Sequence, residues 1–287
     1  MYSHPSSSRG PGVHVTKATA TLLAVVLVMI LYSLVQKAGH QQSPPGVPAG
    51  VPAPEPSVPP VNPLERLLRP PDNVVRREGI GVVLLVDTTG SMTERVPDER
   101  GGHAAKIEIA RRCALNLLRQ CDAFARANPD RVVRVGVSEF SYRSDDRELC
   151  RVVIPLGPLD LEAASRAVGK MSAEGGTPIG TAIITAKKIL DASGLTRLHI
   201  LVVTDGENNV GYEPADVLNA MSLLPAENRA AVYFIAFDVA AAKFAKVREA
   251  GGLVLAATSG KELQQTLDYV LTGKILVEQP EAPKAHE

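Results

Sequence analysis

The sequence contains no tryptophan, and aromatic residues make up 4% of its 287 residues. With 31 basic and 31 acidic residues the net charge is zero, and no basic cluster is interleaved with aromatics. A nucleic-acid footprint is thereby excluded, as is an acidic solubilising tail. Cysteine is scarce: Cys113, Cys121 and Cys150 make an odd count with no C-x-x-C spacing, which excludes a zinc or thioredoxin-like motif. Cys113 and Cys121 stand eight apart on an expected helix, about 12 Å along its axis, too far to bridge each other. Buried free thiols are the expectation, and a bridge from Cys150 stays open. Of six histidines, His4, His14, His40 and His286 lie outside the expected folded part, so histidine catalysis has little footing. No N-x-S/T acceptor occurs in this short chain, which points to a bacterial protein.

The long hydrophobic run is present once. Residues 18–35, "ATATLLAVVLVMILYSLV", carry no charge and are long enough to span a bilayer as one helix. The run exceeds the apolar core of a cleaved signal peptide, and "QKAGHQQ" after it lacks a small-residue cleavage site. Residues 18–36 are therefore expected to be an uncleaved signal anchor. Arg9 and Lys17 precede it and Lys37 alone follows before Arg66. That bias places residues 1–17 in the cytoplasm and the rest in the periplasm or at the cell surface, as a single-pass membrane protein. Nine prolines between 43 and 63 prevent core packing, and residues 37–78 read as a proline-rich linker. The folded domain is expected over 79–272, with 273–287 as a disordered tail.

Within 79–272, apolar runs at 80–86, 132–138, 149–154, 198–203, 230–237 and 252–256 read as six strands, several with the continuous apolar pattern of strands buried on both faces. Between them lie helical patterns at 104–126, 160–170, 179–191, 214–223, 240–249 and 260–271. Alternation of this kind specifies an α/β fold: a doubly wound, Rossmann-like, mostly parallel six-stranded sheet with helices on both faces. The transmembrane helix and the proline-rich linker precede it.

Ligands of such sheets bind outside the carboxyl ends of the strands, where strand order reverses. Two apolar runs end in acids: "VVLLV" runs into Asp87, and "HILVVT" into Asp205. A third polar turn, "EGGTPIG", opens a helix, with Thr177 expected at its N-cap and Pro178 in its first position. Any one of these residues suits a cap or a turn. Together, two acids at adjacent strand ends need a cation to offset their repulsion.

Asp87-Thr88-Thr89-Gly90-Ser91, Thr177 in "GGTP" and Asp205 in "TDG" resemble the metal-ion-dependent adhesion site of the von Willebrand factor A domain family. Thr89 departs from the family pattern, which has serine there, but keeps the hydroxyl. The passage "TERVPDERGGH" is longer and more charged than the family needs. The resemblance implies that Asp87, Thr89, Ser91, Thr177 and Asp205 hold one Mg²⁺, or Mn²⁺, whose shell an acidic residue of a protein partner completes. Hard oxygen donors suit either ion. Glu207 and Asn208 are expected at the partner-binding rim, and Asp145 and Asp146 in a solvated turn. The implied function is a membrane-tethered, metal-dependent protein-binding or adhesion module of the bacterial envelope. A scaffold or assembly factor for an envelope complex is the alternative, and a metal-dependent hydrolase a weaker one. "TTGSM" is not a serine-hydrolase elbow and "GGTPIGT" lacks the lysine of a P-loop, so no enzyme is expected.

Overall fold

The computed structural model of the chain describes residues 62–143 and 148–279. The expected anchor, the linker up to residue 61, Asp145 and Asp146, and the tail from 280 onward lie outside the described residues. Among the described residues no helix is long and apolar enough to cross a membrane.

Six strands form the main sheet: β1 (Arg77–Asp87), β4 (Val133–Phe140), β5 (Cys150–Gly157), β6 (Leu195–Thr204), β7 (Ala230–Phe237) and β8 (Leu253–Ala257). Strands β2 (Arg95–Pro97) and β3 (His103–Ala105) make a separate antiparallel hairpin. The sheet order is β5-β4-β1-β6-β7-β8, with every neighbour parallel except β5 on β4. The chain builds leftward from β1 to β5 and rightward from β6 to β8, so the order reverses between β1 and β6.

β1 is central because its sequence allows nothing else. From Gly79 to Asp87 every residue is buried. Fully burying one Val or Leu side chain stabilises by roughly 1.5–3 kcal/mol, which favours covering both faces of this run. Val82, Leu84 and Val86 face a core made with α2 (Lys106–Ala127), α3 (Leu161–Gly169) and α7 (Gly260–Val270). Val83 and Leu85 face a second core made with α4 (Ile179–Ser193), α5 (Pro214–Ser222) and α6 (Ala245–Glu249). Cys113 and Cys121 belong to the first core and Cys150 to the second, on opposite faces of the sheet, and all three thiols are free and buried. Burial pushes each of them up to about 12.

Both domain boundaries expected from sequence are corrected. The linker does not extend to 78, because α1 (Pro63–Leu68), capped by Asn62, buries Leu64 and Leu68 in the second core. Beneath it the buried Lys187 Nζ donates to Asp191 at 2.5–2.6 Å, with the Leu68 carbonyl at 3.5 Å. Nor does a tail begin at 273. A π turn, Leu271–Ile275, continues α7, Ile275 and Leu276 are buried, and Arg131 Nη1 donates to the Leu276 carbonyl at 2.9 Å. The first anchor point falls in "LERLLRPPDNVVRREG", residues 64–79, whose amphipathic pattern marks a lead-in to the folded part. The second is a short apolar pair without periodicity.

Candidate metal centre

The reversal of strand order sets Asp87, at the end of β1, beside Asp205, one residue past β6. Asp87 is fully buried and its carboxylate is saturated by the chain: Thr89 N–H donates to Oδ1 at 2.8 Å, and Thr204 Oγ1 to Oδ2 at 2.6 Å. Burial pushes its pKa up to about 7; the Thr204 hydrogen bond opposes this, and the charge of Asp205 adds to it.

A chain of hydroxyls leads from the first loop to the second. Thr89 Oγ1 lies 3.2 Å from Ser91 Oγ, and Ser91 Oγ donates to Asp205 Oδ1 at 2.7 Å. Backbone bonds hold the third loop. Glu174 N–H donates to the Thr88 carbonyl at 2.8 Å, Gly90 N–H to the Gly175 carbonyl at 3.2 Å, and Tyr142 N–H to the Gly176 carbonyl at 2.9 Å. Gly175 sits at φ +87°, and a Cβ there would meet the Tyr142 carbonyl oxygen at 2.1 Å, so only glycine closes this turn.

Thr177 is not the cap expected of it. Pro178 holds the N-cap position of α4 and has no side-chain acceptor to offer. Instead Thr177 N–H donates to Asn209 Oδ1 at 2.7 Å, and Asn209 N–H to the Thr177 carbonyl at 3.0 Å. Thr177 Oγ1 is left beside Gly206, 3.5 Å from where a Cβ would stand. Thr89, Ser91, Thr177, Asp87 and Asp205 are thus brought together by three interlocked loops. Among the described residues no group of three His, Cys, Asp or Glu side chains is arranged to hold a metal. Any cation here would rest on hydroxyls together with two acids, a donor set that fits a hard dication and no soft one.

The two expected rim residues have partners within the chain. Glu207 Oε1 pairs with Lys243 at 2.8 Å on an exposed surface. Asn208 Oδ1 accepts from Gly180 N–H at 3.4 Å, bracing the start of α4. Asn209, expected with Glu207 and Asn208 among the rim and turn residues, instead braces Thr177; Thr204, the first residue of the "TDGEN" turn, was missed as a site residue.

Lys106 was missed as well. It opens α2 with its side chain buried, donating to Glu94 Oε2 at 2.7 Å and Asp205 Oδ2 at 3.1 Å, with Asp238 Oδ2 at 3.0 Å. Burial alone would lower its pKa, but the three carboxylates outweigh it and raise it. The charged passage from 93 to 103 explains the arrangement. It folds as the β2–β3 hairpin, whose closure brings Lys106 N–H to the Glu94 carbonyl at 2.9 Å. A sequence signal existed: a lysine on the apolar stripe of a helix, at the end where the macrodipole disfavours cations.

A von Willebrand factor type A domain model matches residues 82–207, a span that contains all five converging residues. Over these residues the chain is similar to that family. No curated protein matches the chain. Among solved structures, the open conformation of the pilus adhesin SpaC from Lactobacillus rhamnosus GG is 16% identical with a TM-score of 0.52, over 68% of this chain and 30% of that one. The PilB minor pilin from Streptococcus sanguinis is 14% identical with a TM-score of 0.50, over 70% of this chain and 62% of that one. The chain thus spans less than two thirds of these proteins, and at such identity the likeness is one of fold. The described fold keeps the mostly parallel, doubly wound sheet expected from sequence, and it runs past the matched residues at both ends.

Proposed function

We propose that this A domain captures a protein partner through one Mg²⁺ or Mn²⁺ held by Asp87, Thr89, Ser91, Thr177 and Asp205, with an acidic side chain of the partner completing the shell. One observation carries the reading: two buried carboxylates and three hydroxyls converge at the point where strand order reverses. Bound there, the ion supplies a Lewis-acidic position for a partner oxygen.

The chain's own residues fix the rest. Thr204 and the Thr89 amide orient Asp87, so its role is to balance charge, while the hydroxyls of Thr89, Ser91 and Thr177 would serve as neutral donors. Neutral direct donors leave the ion's charge available to an acid from outside. Residues 18–36 tether the domain to the membrane with the A domain on the extracytoplasmic side, and adhesion or assembly within a bacterial envelope is the setting. A scaffold for an envelope complex would use the same centre on an internal partner.

Histidine-based hydrolysis draws no support from His199. His199 lies six residues back along β6 from Asp205, roughly 20 Å away at strand rise, and bonds Glu278 instead. The test is capture of membrane proteins by the full-length chain in detergent with Mg²⁺ or with chelator. Capture that survives chelation, or turnover of a phosphoester or peptide, would sink the reading.

A further inference from the structure

We propose that Lys106 is a resident cation that answers part of the charge demand of this centre and thereby sets how tightly a divalent ion is held. The inference rests on the proposed function and deepens it.

Lys106 is placed where an ammonium is costly. Its side chain is 2% exposed, and it begins a 22-residue helix at the end where the macrodipole repels cations. The three carboxylates around it come from three separate segments: Glu94 before the hairpin, Asp205 after β6 and Asp238 after β7. One oxygen of each carboxylate lies within 3.1 Å of the ammonium nitrogen. The other buried lysine in this domain, Lys187, is matched by one acid, Asp191. Around Lys106 the balance is different. Glu94, Asp205 and Asp238 meet a single ammonium, and Asp87 lies close enough to Asp205 for the charges to act on each other, so the neighbourhood keeps an excess of acid.

Asp238 carries a second mark of design toward Lys106. It is the one residue other than glycine at positive φ among the described residues, at +55°. Backbone strain of this kind persists when surrounding contacts over-determine it. Here the Asp238 N–H donates to the Ala257 carbonyl at 2.7 Å while the side chain reaches Lys106.

The electrostatic consequence has a definite sign. Lys106 holds Asp205 Oδ2, so the charge of the ammonium bears on the carboxylate whose Oδ1 accepts from Ser91. A dication and an ammonium then share one carboxylate and repel each other. Removing the ammonium should tighten divalent binding. Removing one of its other acids, which are not donors to the centre, should weaken it.

The experiment is calorimetric titration of the full-length chain in detergent with MgCl₂ alone. Lys106→Met is expected to tighten Mg²⁺ binding roughly tenfold, and Asp238→Asn to weaken it by a similar factor, since unit charges at these separations act by more than thermal energy. Asn tolerates the left-handed backbone and keeps an oxygen for Lys106, so the second variant changes charge with the geometry intact. It decides the matter alone if Lys106→Met fails to fold. A merely structural lysine would lower the melting temperature and leave the Mg²⁺ affinities of both variants at the wild-type value. That outcome, or shifts of the opposite sign, would overturn the inference and leave the proposed function standing. A wild-type chain that binds no Mg²⁺ overturns both.

Discussion

At the scale of single residues the centre separates into charges, hydroxyls and braces, and each class predicts a different loss. Asp87→Ala and Asp205→Ala each remove a carboxylate that attracts a dication, so Mg²⁺ binding should fall by more than tenfold in calorimetry, whereas Thr89→Ser keeps the hydroxyl and should change it little. Folding should persist in all three, because removing one of two neighbouring acids relieves repulsion in the metal-free protein. Asp87 also makes a pH prediction. Its folded pKa, about 7, stands well above the ordinary aspartate value of 3.8. The folded state therefore keeps a proton across that window while the unfolded state has released it. Stability of the chelated protein is highest below about pH 4 on this account and declines as pH rises to 7, by at most on the order of 4 kcal/mol. Denaturant titrations with chelator at pH 5 and pH 8 should show that decline in wild type and its absence in Asp87→Asn.

Elements carry the stability that these residues draw on, and the ends of the fold are where element and sequence reading diverge. A chain beginning at residue 79 would lack α1, uncover the Lys187–Asp191 pair and lose the buried Leu64 and Leu68. Leu68→Ala alone should cost about 2–5 kcal/mol, measured as a drop in the denaturation midpoint, because the site is fully enclosed. Ending the chain at 272 would remove Ile275, Leu276 and the carbonyls that Arg131 bonds, including that of Glu278. Thermal melting should show that chain destabilised relative to one ending at 279. Helix boundaries inside the domain were more legible: the strand expected at 230–237 is β7, and the helix expected at 214–223 is α5 within one residue. Periodic apolar stripes survive translation into structure, whereas terminal segments anchored by two side chains leave no period to read.

For the whole molecule the centre links ligand binding to stability. An ion that binds only the folded state raises stability by RT ln(1 + [L]/Kd), about 2.7 kcal/mol at a hundredfold excess over Kd. Adding Mg²⁺ to the chelated full-length chain should therefore raise its melting temperature, and Asp205→Ala should abolish the shift. The same chain, recovered from membranes, should begin ahead of residue 18, as an uncleaved anchor requires. A mature N-terminus beyond residue 37 would show that the apolar run is removed.

Sequence alone determined the order and type of the main elements within 79–272, because these depend on local apolar patterning. Asp87 and Asp205 stood out as acids at the ends of apolar runs and Thr177 as a polar turn residue, while the set of five with Thr89 and Ser91 came from the family resemblance. Tertiary structure decided what each of them faces. That Thr177 is braced by Asn209 and does not cap its helix, that Thr204 closes over Asp87, and that one ammonium from α2 meets three acids are all pairings across distant stretches of chain. Lys106 and Asp205 are 99 residues apart. No local pattern encodes such a meeting; it follows from strand order, which sets which loops share an edge of the sheet.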